Sequence, residues 1–177
     1  MGIYAYDEKN FAVAYRNFKE MLTIHDKLKG MGQESSLDDP AAYQDQMYIT
    51  GLAAISADKQ ADAKPIFEEL AEVGYDKPGS YEALYQIKAV DDIDGAYSYL
   101  EQGRQKYPDD VSLLFAEINH FLKADRLSDL IDKLKQAIEK EPENVSLYST
   151  LGNVYDNLYQ KSNEAGEQEK ADEYLQN

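Results

Sequence analysis

AYSYLEQGRQKYPDD (Ala96–Asp110) and LIDKLKQAIEKEPEN (Leu130–Asn144) align on one another at an offset of 34 residues. Ala96 matches Leu130, Leu100 matches Leu134, Gly103 matches Ala137 and Pro108 matches Pro142. In each stretch a helix with apolar residues four apart ends before a proline, and Asp110 or Asn144 then stands where it can cap the next helix. The same phrase, Ala-x-x-x-Phe in its strongest form, recurs upstream as Ala14/Phe18 and Ala63/Phe67 and downstream as Ala171/Leu175. Ala63 to Ala96 is 33 residues. A period of this length filled by two helices denotes helical hairpins stacked into a solenoid, an architecture whose usual work is to present a surface to a partner.

Outward from this pair, the chain divides into helical segments. Residues 1–6 read as the end of a helix, and Asp7-Glu8-Lys9-Asn10 as a turn. Phe11, Ala14, Tyr15, Phe18, Met21, Leu22 and Leu28 keep helical spacing to about Lys29. Residues 30–38, with two glycines and two serines, predict a loop, and Asp39-Pro40 a capped helix start. Further helices are expected at about 40–57, 61–73, 79–89, 93–106, 110–123, 127–140 and 145–158. Pro65 predicts either a late start or a bend in its helix. Gln160 to Glu169 predicts a long polar connection, followed by a closing helix from about Glu167. No segment alternates in the manner of a strand. The expectation is an all-α single domain over residues 1–177: a partial unit at 1–29, then hairpins at about 40–74, 78–107, 110–141 and 145–177.

Charge and composition exclude several classes of activity. The chain carries 34 acidic against 18 basic residues, a formal net charge of −16, with no run of cations. Phosphate-backbone binding and anionic membranes require a basic surface, so neither is an expected partner. There are no cysteines, which excludes disulfides, thiol catalysis and cysteine-held metals, and is compatible with cytoplasm or periplasm. No apolar stretch approaches the roughly 20 residues of a membrane span, and the start does not read as a signal peptide. Fifteen tyrosines against no tryptophan suggest rings used at hairpin packing positions.

These spacings resemble the tetratricopeptide repeat. Tyr148, Leu151, Gly152 and Tyr155 fall at the aromatic, Leu, Gly and Tyr positions of its first helix; Leu114, Phe121, Ala137 and Pro142, then Ala96, Leu100 and Pro108, then Gly51, Ala63 and Phe67, match the pattern in the other units. Gly51, Gly103, Ala137 and Gly152 are expected where two helices cross closely. Leu84 and Ile118 depart from the close-approach glycine and Leu130 from the usual alanine, so those hairpins are expected to pack more widely. Ala14 to Ala63 is 49 residues and Leu130 to Ala171 is 41, excesses assigned to loops at 30–39 and 160–169. Both chain ends read as uncapped, which suggests a fragment of a longer array and self-association through open ends. The general look of the repeats suggests a bacterial origin.

The resemblance implies a concave groove lined by the first helix of each hairpin. Its groove-facing positions here are Tyr48 and Leu52; Tyr81, Tyr85 and Lys88; Phe115, Asn119 and Leu122; and Ser149, Asn153 and Asp156. Rings beside amides suit an extended peptide, since the rings supply area and the amides pair with backbone groups. The family's carboxylate clamp needs cations beside its Asn. Asn119 and Asn153 are present, but Ser149 and Asp156 stand where cations would serve, so the implied partner is a neutral or basic protein segment rather than an acidic tail.

Nothing points to catalysis or a cofactor. His25, expected to be exposed, and His120 lack a second spaced histidine for a metal site. Gly30-Met31-Gly32 follows a helix rather than a strand, the wrong setting for phosphate. Two readings follow: a non-catalytic interaction scaffold, or a structural spacer within a longer helical array.

Overall fold

A computed structural model describes residues 2–75 and 77–176. Among them the structure is all-α: ten helices and no strand. They fall into two compact units, residues 1–91 and 92–177.

The first unit holds α1 (Gly2–Asp7), α2 (Phe11–Gly30), α3 (Pro40–Ser56), α4 (Gln60–Glu72) and α5 (Gly79–Ala89). Each packs on the next in the chain, and α5 also touches α3. Ala14, Phe18, Met47, Ala53, Ala54, Ala63, Phe67 and Leu70 form the buried seam. A Cβ on Gly51 would stand 2.7 Å from the Phe67 ring, so this glycine does serve a close crossing of α3 and α4. The second unit holds α6 (Ile93–Lys106), α7 (Val111–Lys123), α8 (Leu127–Lys140), α9 (Val145–Glu164) and α10 (Gln168–Leu175), again packed in chain order. Its core joins Leu114, Ile118 and Phe121 to Leu130, Leu134 and Ala137 and to Leu147 and Val154.

Two devices end the helices. α6 and α8 stop at Tyr107 and Glu141, whose backbones leave the helical region in the same way (φ −126°, ψ 69° and φ −129°, ψ 67°) before Pro108 and Pro142, the step that the 34-residue offset predicts. Six other helices end on a left-handed residue: Lys9, Gly32, Asp58, Gly74, Asp125 and Gly166. In each, the following amide returns to the carbonyl five residues back, as in Asn10 to Ala5, Lys59 to Ala54, Arg126 to Phe121 and Glu167 to Ser162. This is one C-terminal motif used repeatedly, and it satisfies carbonyls that the helix leaves open. Asn10, Asp39, Asp92 and Asp110 cap the helices that follow them.

Three expectations are corrected, and of the two alternatives for Pro65 the late start is set aside. α4 begins at Gln60, so Pro65 lies inside it without delaying its start; the missing donor leaves the Ala61 carbonyl without its usual helical partner. The stretch 160–169 is not a long loop. α9 runs on to Glu164, held by Lys161 Nζ on Asp125 Oδ2 at 2.7 Å and by Gln160 on Asp156 at 2.9 Å, and only a short turn separates it from α10. Gly152 is exposed, with nothing within 4 Å of a Cβ placed there. A ring pair between α9 and α10 joins Tyr155 to Tyr174, with centroids 6.3 Å apart, less than one turn along from Gly152. His25 is buried rather than exposed, because the 31–39 segment folds back and sets Leu37 into the unit.

Candidate functional site

Positions four and three apart share a helix face, so each group of groove positions lies on one face of α3, α5, α7 or α9. Their burial differs sharply. On α7 and α9, Asn119, Leu122, Ser149, Asn153 and Asp156 are exposed, and Phe115 half-buries its ring against the second unit's core. Asp156 accepts a hydrogen bond from Gln160 one turn on. On α5, Lys88 is exposed, but Tyr81 and Tyr85 are only 8% and 4% accessible, since α5 is covered by both α3 and α4. On α3, Tyr48 is half-buried, edge-on to Phe67 at 5.9 Å and tilted against Tyr75 at 5.6 Å, with the Lys77 ammonium 5.3 Å from its ring. Burial pushes the Tyr48 hydroxyl above its ordinary range.

Leu52, one turn beyond Tyr48 on α3, meets the α1 and α2 side rather than α4. It lines an open apolar cleft of about 260 Å³ with Ile49 on α3, Phe18 on α2, and Ile3 and Tyr6 on α1. The short α1 is held there because Gly2 lets its backbone lie against the Phe18 ring, which a Cβ would strike at 2.4 Å. Ile3 remains 68% exposed at the rim. The cleft offers apolar area almost without polar atoms, the chemistry that accepts an aliphatic or aromatic side chain.

A second arrangement escaped sequence reasoning. Glu117 on α7 is 2% accessible. Lys133 of α8 reaches its Oε1 at 2.9 Å, Arg104 of α6 lies 3.2 Å from its Oε2, and the Tyr97 hydroxyl donates to Oε1 at 3.1 Å. One carboxylate thus ties three helices. Arg104 also donates to the carbonyls of Pro108 and Asp110, bracing the turn into α7. The signal was present in the spacing: Glu117 follows Leu113 and Leu114 and precedes Phe121 by four, which puts it on the buried face. Tyr97 stacks on the fully buried His120 at 4.7 Å. Burial, then the Arg126 charge, hold the His120 imidazole below its ordinary range. Burial, then the Glu117 charge, push the Tyr97 hydroxyl up.

In the first unit Asp45 accepts from Tyr75 at 2.5 Å and Lys77 at 2.6 Å, and those two bonds lower its carboxyl. Among the described residues no three His, Asp or Glu side chains group so as to hold a metal ion, and no helix is long and apolar enough to cross a membrane. No protein-family model matches this sequence, and no curated protein matches it.

Proposed function

We propose that the chain is a non-catalytic binding module of tetratricopeptide type, holding a neutral or basic segment of a partner protein along the first-helix positions. The apolar cleft around Leu52 carries this reading: a first-helix position opens onto a concave, uncharged surface of side-chain size. Within the second unit, and independently of that cleft, the exposed Asn119 and Asn153 stand 34 residues apart and offer amides suited to a peptide backbone. The test is selection of peptides from a displayed library, then calorimetry of the winners. Leu52→Gln should weaken binding about tenfold, the loss of one well-buried apolar anchor, while the melting temperature holds. No enriched peptide, or equal affinity for the variant, would sink it. The burial of Tyr81 and Tyr85 favours the second reading, a structural spacer whose aromatic positions serve packing alone.

A further inference from the structure

His25 lies under the 31–39 segment with its side chain 5% accessible, and its Nδ1 is a buried atom without a hydrogen-bond partner. Asp38 Oδ1 lies 3.7 Å from it. That gap is too long for a direct hydrogen bond, yet one donor atom placed between the two could bond both at about 2.9 Å. The two atoms border a cavity of about 210 Å³ lined by His25, Asp26, Lys29, Leu37, Asp38, Pro40 and Tyr43. A bridging water would use only a fraction of that volume, since its share of the liquid is about 30 Å³.

The walls describe what fits. Leu37, Pro40 and the Tyr43 ring form an apolar side, suited to a methylene stem. The Tyr43 ring lies 5.0 Å from the His25 ring, so its face is near enough to attract a cation. Asp38 is held in place through its second oxygen, which accepts from Ser35 N at 2.8 Å, leaving Oδ1 for the cavity. Two carboxylates, Asp26 and Asp38, face one ammonium, Lys29. The Tyr43 hydroxyl is pushed up first by burial, then by the charges of Asp26 and Glu69, which marks the surroundings as negative.

We infer that this pocket binds a primary alkylammonium group, its methylenes against Leu37, Pro40 and Tyr43 and its N–H donors bridging Asp38 Oδ1 and His25 Nδ1. The site is distinct from the Leu52 cleft and stands or falls separately. Its two possible sources are a lysine side chain of a partner and a free amine.

The test is titration of the intact chain with Nα-acetyl-lysine methylamide, with putrescine, and with the uncharged norleucine analogue, watching the His25 and Tyr43 ring resonances by NMR. His120, buried in the other unit, is the internal control. Saturable shifts at His25 and Tyr43 with an amine, none at His120 and none with norleucine, are expected. Response to the lysine probe alone assigns a protein source; response to putrescine alone assigns a free amine. Asp38→Asn should weaken the interaction about tenfold, the loss of one charge-assisted bond. Absence of a saturable shift with either amine in the wild type overturns the inference without recourse to any variant. Equal shifts with norleucine overturn it too, because the cavity would then be reading only apolar bulk.

Discussion

Replacing Glu117 by Gln removes one negative charge and almost no volume. Its acceptor oxygen can still take the Tyr97 hydroxyl, so what is lost is the attraction for Lys133 at 2.9 Å and Arg104 at 3.2 Å. Each pair at this range attracts by about 5 kcal/mol at an effective dielectric of about 20, most of which offsets desolvation of the three ions. Breaking a buried pair on one side costs about 3–5 kcal/mol, because the surviving charge stays out of water. Here Lys133 and Arg104 keep 22% and 16% of their side-chain surface, so they can turn partly toward solvent. The loss should therefore sit near the lower limit, about 3 kcal/mol. Urea denaturation followed by circular dichroism measures it. In a cycle with Lys133→Met, the double variant should lose clearly less than the sum of the singles, since removing the second charge relieves what the first left unpaired. A loss below about 1 kcal/mol, or strict additivity, would mean that Glu117 is solvated in solution and ties nothing.

Three further outcomes follow from the same structure. Tyr85→Ala should lower stability by about 3–5 kcal/mol, as for other buried rings, whereas Asn119→Ala and Asn153→Ala should stay within about 0.5 kcal/mol, and denaturant midpoints would separate the two groups. Asp58→Gly should raise stability by up to about 1 kcal/mol, since Asp58 holds φ 57° at an exposed turn and glycine has no Cβ to strain there; an unchanged or lower midpoint would contradict this. The depressed imidazole of His120 binds fewer protons folded than unfolded, so the stability it contributes is present above the ordinary value near 6.5 and is lost as pH falls below it toward the folded value. An NMR titration should find this ring protonating below the ordinary range, and a His120 titrating at or above it would refute the assignment.

How far a repeat can be read from sequence depends on what ends its helices. Where Pro108 and Pro142 act, the boundaries of α6 and α8 coincide with expectation, because each proline disfavours the helical conformation of the residue before it and an Asp or Asn follows to start the next helix. Where a polar stretch alone suggested a stop, at Gln160, the helix continued for another turn and more. Gln160, Lys161 and Glu164 are good helix formers, and the anchor that favours continuation, Lys161 on Asp125, spans 36 positions and has no local signature. His25 failed for a related reason. Charged neighbours in sequence describe the outer face of α2, but the chain that buries His25 arrives from Leu37 and Tyr43 after a loop whose path the helical period does not set.

The candidate groove shows the same limit in a sharper form. Positions 85, 119 and 153 are equivalent by register, yet Tyr85 is buried while Asn119 and Asn153 are exposed. Register decides which face of a helix a side chain leaves from; what lies over that face is decided by tertiary packing, and on α5 the contact with α3 closes it. Residue type carried the missing information. A buried tyrosine supplies area at a modest loss of rotamer freedom, whereas a buried asparagine needs partners for four hydrogen-bonding sites, so the residue type at each of these positions accords with its burial. Glu117 completes the logic of charge. It draws Arg104 and Lys133 inward, two of the chain's 18 cations against one carboxylate, which leaves the remaining surface more acidic than the formal −16 already implies. A surface so depleted of cations repels phosphate backbones and steers positively charged segments toward it. The proposed neutral or basic partner accords with this distribution of charge, and neutralising the cluster by apolar replacement of all three residues should leave that steering intact.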